Sequence, residues 1–463
     1  MDWANFGVDL HLDLSSVPDP GTGRRVALER ALRDSIRAGR LAPRTRLPAT
    51  RTLAAELNLS RGTVSAAYDQ LIAEGYLNAR QGSGTEVAQM PPAVTSLRAN
   101  VEGSRPPRYD LRPGSPDVAT FPVAAWLRAT RRALSRAPVA AYDYGDPRGS
   151  LELRTVLAEY LGRARGVLAT ADRIIVTSGY VQALALLATV HRGRVIAMED
   201  PGLAFHRDVV RQAGATVTAL PTDALGARTE LLSTVLSSVD AAVVTPAHQY
   251  PTGVTLHPDR RHAAVDWARD RDRLLIEDDY DGEFRYDRQP VGALQGMAPE
   301  HVVYIGTAAK TLGPALRLAW MVLPGRLVDP VVRAKRLADL HTETIGQLAL
   351  ADLIGEHAYD RHVRACRLRY RRRRDLLVQR LPWADLGGIA AGLHVMIGLP
   401  AGGPSEEDVL RRAAAHGLAL GELGSHWHSP GDHPQGLVVG YGTPREGAYP
   451  AALDTLARVL RAF

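Results

Sequence analysis

The chain has 463 residues, 45% of them hydrophobic, with a formal net charge of +6 and a single cysteine. Its length exceeds one ordinary domain and its apolar share supports large cores, so two or three folded units are expected; the charge permits a polyanionic partner without requiring one. Cys366 alone excludes an intrachain disulfide framework, no apolar run approaches a membrane span, and the mixed opening MDWANFGVDLHLDLSS is no secretory leader, so a cytoplasmic location is expected.

Residues 1–87 read as a small helical unit. RRVALERALRDSIRAGR predicts an amphipathic helix with Val26, Leu28, Leu32 and Ile36 inward and a stop near Gly39. LPATRTLAAELNLSRGTVSAAYDQLIAEGYL predicts two more helices across the tight turn NLS. Thr50 is expected to cap the first, which buries Leu53, Ala54 and Leu57. Ser60 is expected to cap the second, which buries Val64, Tyr68 and Leu71 and ends by Gly75. Two short helices so joined are the helix-turn-helix arrangement, and GYLNARQGSGTEV follows as a glycine-tipped hairpin, a wing. Arg61 falls in the first turn of the second helix, where a guanidinium can read guanine, and Ser60 and Thr63 are small enough to let backbone amides approach phosphates. Residues 88–108, rich in proline and small polar residues, read as a linker able to reach a neighbouring subunit.

From residue 109 onward apolar β-branched runs alternate with helical ones. RIIVTSG, RVIAMEDPG, ATVTAL, AAVVTP, LLIEDDYDG and VVYIGTAAK are expected strands of a mostly parallel sheet covered on both faces. Ligands of such sheets bind beyond the carboxyl ends of the strands, here Ser178-Gly179, Asp200-Pro201, Pro246 to His248, Asp278 to Tyr280 and Thr307 to Lys310. RHVRACRLRYRRRRD, residues 361–375, reads as a solvated or inter-subunit helix face, and Lys335 as a helix-face charge. The histidines of GSHWHSPGDHP lack a zinc-like spacing, so no metal is expected.

Among 56 lysines and arginines only Lys310 and Lys335 are lysine. Arginine replaces lysine in an ion pair but not in a Schiff base with an aldehyde, so a lysine kept at a strand end suggests imine chemistry. Its neighbours fit pyridoxal phosphate: Asp278 for the pyridinium nitrogen, Tyr280 for the phenolate oxygen, Thr307, Arg317 and the helix start TSGYVQA for the phosphate.

The head LPATRTLAAELNLSRGTVSAAYDQLIAEGYLNARQGSGTEV closely resembles the winged helix of the GntR family of bacterial regulators, with Ala49 in the usual serine slot. That resemblance implies DNA contacts at Arg51, Ser60, Arg61, Gly62, Thr63, Ser65, Gln81 and Gly82. The body resembles the fold-type-I aminotransferases through YDYGDPRGSLELRTVLAEYLGRARGV, TPAHQYPTG, IEDDYDGEFRY and GTAAKTLGPALRLAW, and the whole chain resembles the MocR/GabR subfamily of transcriptional regulators. The resemblance implies an α/β body, residues 109–463, with a large sheet domain and a small C-terminal α+β subdomain from about residue 345. It further implies Lys310 as the Schiff-base lysine, with Asp278, Tyr280, Thr307, Arg317, Gly179, Tyr180, Val181, Leu203 and Tyr250 around the cofactor.

Several positions depart from the family. Ala308 and Ala309 replace Phe-Ser before the lysine, and Leu203 replaces a ring-stacking tyrosine, with Phe205 two residues on. Tyr180 and Val181 replace serine and glutamine, leaving phosphate contacts to backbone amides and the Tyr180 hydroxyl. Val438 falls where aminotransferases carry the arginine that clamps a substrate carboxylate, with Arg445 near enough in sequence to compensate. The expected molecule is a head-to-tail dimer binding operator DNA and sensing pyridoxal phosphate, an amine or an amino acid; regulators of vitamin B6 synthesis in this subfamily suggest the first. The alternative is a working aminotransferase with an accessory DNA-binding head.

Overall fold

A computed structural model describes residues 23–80, 84–89, 106–286 and 291–463. The chain divides into two compact units, residues 1–105 and 106–463. In the first, α1 (Arg24–Arg37), α2 (Thr50–Glu56) and α3 (Arg61–Ala73) precede the antiparallel hairpin β1 (Leu77–Arg80) and β2 (Gly84–Val87). Leu28, Leu32, Ile36, Leu53, Val64, Tyr68 and Leu71 fill its core. Ser60 caps α3 as expected, its hydroxyl accepting from the Thr63 amide at 3.0 Å. Two expectations fail. Val26, in the first turn of α1, is 44% exposed, and Thr50 is the first helical residue rather than the cap, a place taken by Ala49. The Gln81-Gly82 wing tip and residues 90–105 of the expected linker lie outside the described residues.

The second unit opens with β3 (Tyr109–Asp110), α4 (Val123–Arg136) and α5 (Leu151–Arg165). The alternating portion follows: β4 (Ile174–Thr177), α6 (Tyr180–Val190), β5 (Val195–Asp200), α7 (Ala204–Gln212), β6 (Thr216–Asp223), β7 (Gly226–Ala227), β8 (Ala241–Val244), α8 (Pro258–Asp270), β9 (Leu274–Asp279), β10 (Val302–Thr307) and β11 (Ala319–Val322). Among the described residues these strands form one sheet in the order β4-β11-β10-β9-β8-β5-β6-β7. Neighbours from β6 to β10 run parallel, whereas β11 and β7 run against theirs. Successive residues of each strand face opposite sides. Ile175, Ile196, Ile276 and Val303 meet the core that contains α6 and α7, whereas Val176, Leu275 and Tyr304 meet the cores that contain α5 and α8.

The chain continues through α9 (Gly325–Asp339), α10 (Thr344–Gly355) and α11 (Ala358–Arg380) into a smaller lobe. There β12 (Leu386–Gly387), β13 (His394–Gly398), α12 (Glu406–Ala415), β14 (Leu418–Ala419), β15 (Gly421–Glu422), β16 (Gly436–Gly440) and α13 (Tyr449–Leu460) follow. β12, β13, β16 and β15 make an antiparallel sheet, and β14 pairs with β3. The small lobe begins later than residue 345: Leu350 and Leu353 of α10 pack into the core on the large sheet, and the second core is joined only at Cys366 in α11.

α11 is not merely a charged face. Arg373 is buried, donating to the carbonyls of Tyr441, Gly442 and Pro444, and Arg367 donates to that of Glu283, so these arginines bind α11 to its surroundings. Lys335 also departs from expectation. It is fully buried, because Asp339, Thr342 and Gln182 receive its ammonium group.

The end of β9 is anchored from behind. Arg165, the last residue of α5, grips Asp279 through Nε to Oδ2 at 2.6 Å and Nη2 to Oδ1 at 2.9 Å, and the Tyr304 hydroxyl adds a bond at 2.7 Å. Both charged side chains are 1% exposed, so removing one leaves the other buried without its counter-charge. Arg165→Met should therefore cost about 3–5 kcal/mol in urea unfolding, whereas Arg163→Ala, at an exposed pair with Asp360, should cost under about 1 kcal/mol. Tryptophan fluorescence reports this unit, since every tryptophan except Trp3 lies in it.

Candidate cofactor-binding site

The carboxyl ends of β4, β5, β8, β9 and β10 surround a cavity of about 380 Å³. Alternation along β9 decides what enters it: Asp279 turns back to Arg165, and Asp278 and Tyr280 line the cavity. Burial pushes the Asp278 carboxyl well above its ordinary range, opposed by the Tyr180 hydroxyl beside it and reinforced by Asp279 and Asp281. Its Oδ1 is buried without a hydrogen-bond partner among the described residues. A buried acceptor so left costs roughly 1–3 kcal/mol, and more if charged, so the position suits a ligand N–H such as a protonated ring nitrogen.

Lys310 follows β10 and is half-buried, its Nζ donating to the Gly114 carbonyl. Burial lowers its basicity below the ordinary amine value, and Asp281 and Asp278 act in the opposite sense. Tyr280 places its hydroxyl 3.1 Å from His248 Nδ1, which also lies 2.9 Å from Asp281 Oδ2.

The opposite end of the cavity is built for an anion. Gly179 precedes α6 with φ of +109°, and a Cβ there would lie 2.8 Å from Arg317 Nη2, so a side chain would collide with the guanidinium. The first amides of α6, at Tyr180 and Val181, lack intrahelical acceptors, and the helix N-terminus favours negative charge. Arg317 holds a left-handed φ of +53°, a conformation costing of order 1–3 kcal/mol for a non-glycine residue and concentrated at ligand sites. Thr307 lines this end too, although its hydroxyl donates to the Leu318 carbonyl and accepts from the Ala309 amide. The residues present thus fit pyridoxal phosphate, with an amine, an orphaned carboxyl and an anion cradle around one cavity.

All the expected cofactor positions line it: Gly179, Tyr180, Val181, Leu203, Tyr250, Asp278, Tyr280, Thr307, Lys310 and Arg317. Their roles differ in detail. The Tyr180 hydroxyl lies beside Asp278 instead of serving the phosphate turn, and its ring meets that of His206 at 4.7 Å. Phe205 is 61% exposed and takes no part, because one helical step brings His206 inward instead. Burial, with Lys310 nearby, pushes His206 down to about 4, so it is neutral at pH 7. Burial raises Tyr250 to about 12, and its hydroxyl lies 3.3 Å from His426 Nε2. Burial likewise pushes Glu199 to about 7, against the Thr245 amide and hydroxyl that bond its carboxyl.

Among the described residues no substitute appears for the substrate-carboxylate arginine. Val438 is buried within β16, and Arg445 is exposed and away from the cavity lining. Of the arginines at the cavity, Arg207 is consumed by the carbonyls of Gly202, His426 and Trp427, leaving Arg317. His426 and His428 bond Tyr250 and the Glu199 carbonyl, and His433 stacks on Trp427, which gives the loop structural roles.

Gly114, Gln182 and His206 escaped the sequence reading, and His248 was placed at a ligand-facing strand end without a role. Gly114 lies 196 residues from Lys310, beyond any local signal, and His206 depended on the phase of α7. Gln182 and His248 stood inside quoted motifs, TSGYVQA and TPAHQYPTG, and their bonding to Ser178, Tyr280 and Asp281 needed the fold.

In the head, Arg51 is the second residue of α2, and Arg61 and Gly62 begin α3; with Ser60 they are exposed, while Thr63 and Ser65 are half-buried. Ser60 and Thr63 also share a hydroxyl contact of 2.8 Å, so the cap and the expected DNA face coincide.

Residues 25–87 match the gntR family of bacterial regulatory proteins, and residues 110–412 match aminotransferase class I and II. The chain is 32% identical to the HTH-type pyridoxine biosynthesis transcriptional regulator PdxR of Corynebacterium glutamicum over 97% of each chain. It is 34% identical to the probable rhizopine catabolism regulatory protein MocR of Rhizobium meliloti over 90% of each. The kynurenine aminotransferase of Pyrococcus horikoshii, solved with pyridoxamine phosphate, superposes on it with a TM-score of 0.70 at 25% identity, over 76% of this chain and 90% of that one. The chain therefore belongs to the MocR-type transcriptional regulators, in which a GntR winged helix-turn-helix precedes an aminotransferase class I and II domain whose cofactor is pyridoxal 5′-phosphate.

Proposed function

We propose that this regulator senses pyridoxal phosphate itself, held by Lys310, Asp278 and the Gly179–Arg317 cradle, and so controls its grip on operator DNA. The observation that carries this reading is the charge of the cavity: an orphaned carboxyl at one end, an anion cradle at the other, and no arginine at Val438 to clamp an α-carboxylate. Without such a clamp an amino acid loses a charge-assisted contact of roughly 1.5–3 kcal/mol. The relative named for pyridoxine biosynthesis is consistent with this choice.

When bound, pyridoxal phosphate supplies an aldehyde that condenses with a primary amine and a ring that withdraws electrons. The protein's part is positional. Lys310 presents an amine weakened by burial; Asp278 accepts the ring N–H; the Tyr280 hydroxyl, oriented by His248, meets the phenolate oxygen; and Tyr250 and Leu203 wall the cavity. Arg61 and the start of α3 enter the major groove, with Arg51, Gln81 and Gly82 on the flanking backbone. The assembly is a head-to-tail homodimer on two half-sites, supported by exposed apolar side chains such as Val139 at 87% and Leu337 at 90%. A working aminotransferase is the competing reading, favoured by Lys310 and Asp278 and opposed by Val438. Sustained amino-group transfer between an amino acid and an oxo acid, at rates of about 1 per second or more, would establish it.

Pyridoxal phosphate added to the protein should give a visible absorption band that survives dialysis and is missing in Lys310→Ala. Only the uncharged amine reacts, so the band's rate of appearance should rise with pH, with a midpoint below the ordinary 10.5. Asp281→Asn removes a carboxylate that favours the charged amine and should move that midpoint to lower pH.

On operator fragments selected from a random-sequence pool, Arg61→Ala should weaken binding by about 1–3 kcal/mol at fixed salt and relax preference at one base position. Pyridoxal phosphate should change the wild-type operator Kd by roughly fivefold or more, in the coupling range of regulated sites, and amino acids should not. A shift with an amino acid alone would overturn the choice of effector.

A further inference from the structure

Of the two lysines, Lys335 lies away from the cavity and is fully buried. Its Nζ donates to Asp339 Oδ1 and Oδ2 at 2.9 Å each, to Thr342 Oγ1 at 2.9 Å, and reaches Gln182 Oε1 at 3.5 Å. Two of these partners lead to the anion cradle. Gln182, in the first turn of α6, accepts from the Ser178 amide through the same Oε1 at 2.7 Å, and its Nε2 donates to Asp339 Oδ2 at 2.7 Å. Thr342 donates in turn to the Val176 carbonyl at 3.2 Å, on the strand that ends at Thr177. The ammonium group therefore ties both the strand before the Ser178-Gly179 turn and the helix after it.

We infer that Lys335 is a positioning residue for phosphate binding: it holds the β4–α6 turn, and with it the first amides of α6 and the gap that Arg317 fills, in the shape that receives the phosphate. The inference rests on the reading of the cavity as a pyridoxal phosphate site. Arginine does not serve here. A compact ammonium sends donors in three directions from one nitrogen, whereas a planar guanidinium spreads its donors over a fork that this enclosed space has no room to seat. In a chain that uses arginine nearly everywhere else, that explains a lysine at 335 as imine chemistry explains one at 310.

The test compares two ligands in the full-length protein. Pyridoxal carries the aldehyde and ring without the phosphate, so the ratio of its Kd to that of pyridoxal 5′-phosphate, both read from the Lys310-dependent band, measures the cradle alone. Lys335→Met should raise the Kd for pyridoxal 5′-phosphate about tenfold or more and leave that for pyridoxal within about twofold, as expected for a weakened charge-assisted contact. Lys335→Arg should behave in the same way. If Lys335→Met does not fold, Gln182→Leu, which cuts the bonds to Ser178, Asp339 and Lys335 but leaves the ammonium group with Asp339 and Thr342, carries the same comparison. Equal weakening of both ligands, no change in either, or full rescue by arginine would each overturn the inference while leaving the site reading intact. A wild-type protein with no Lys310-dependent band would overturn the site reading itself, and the bracing role with it.

Discussion

A lysine that is to act as a nucleophile must be uncharged, yet the cavity places carboxylates where they would keep it charged. Burial of Lys310 outweighs Asp281 and Asp278, and the rest of the unit is arranged so that this balance holds. Asp281 is tied to His248, and Asp278, pushed toward its neutral form by burial, keeps one oxygen free for a ligand. Both carboxylates sit where they do because β9 ends at a fixed register, and the Arg165–Asp279 pair clamps that end from the far face of the sheet. The motif EDDY thus divides its labour by alternation. One aspartate faces the fold, and its neighbour faces the ligand.

That division bears on how much could be read from the sequence. The strands of the large sheet were legible because each is a short apolar run ended by small or acidic residues, and such a pattern has few solutions other than a covered parallel sheet. Lys310 was legible through the scarcity of lysine, and Asp278 and Tyr280 through their position at a strand end. Lys335 was not, because VRAKRLADL has the spacing of an exposed helix face, and only the packing of α9 beside Thr342 and Gln182 buries it. His206 against Phe205 turned on the rotation of α7 by one residue, which periodicity over nine residues cannot resolve. Thr50 against Ala49 was a boundary shift of one position, the kind of difference that capping preferences leave open.

The preference for arginine is also more than a matter of surface charge. Arg154, Arg207 and Arg373 are buried, and each spreads its fork over backbone carbonyls: Gly149 and Ala171 for the first, Gly202, His426 and Trp427 for the second, Tyr441, Gly442 and Pro444 for the third. A planar group with several donors can gather carbonyls at the ends of elements that have no other partners, which is work for which lysine is poorly shaped. The same geometry sets the limit. Where one nitrogen must serve as a nucleophile, or several acceptors crowd around one point, the fork fails and lysine is kept.

This bears on what the cavity can select. Arg207 is an arginine at the cavity by position but not by availability, since its donors are already spent on the loop that carries His426 and Trp427. His206 is neutral, and burial lowers His394 as well, so neither adds positive charge at pH 7. Among the described residues that line the cavity, the free cationic surface is therefore concentrated at Arg317, beside the amides of α6. A ligand with its negative charge on a phosphate ester meets that surface, and one with its charge on a carboxylate near the reactive amine does not. The proposed selectivity for the phosphorylated aldehyde rests on where the chain has left an arginine unspent.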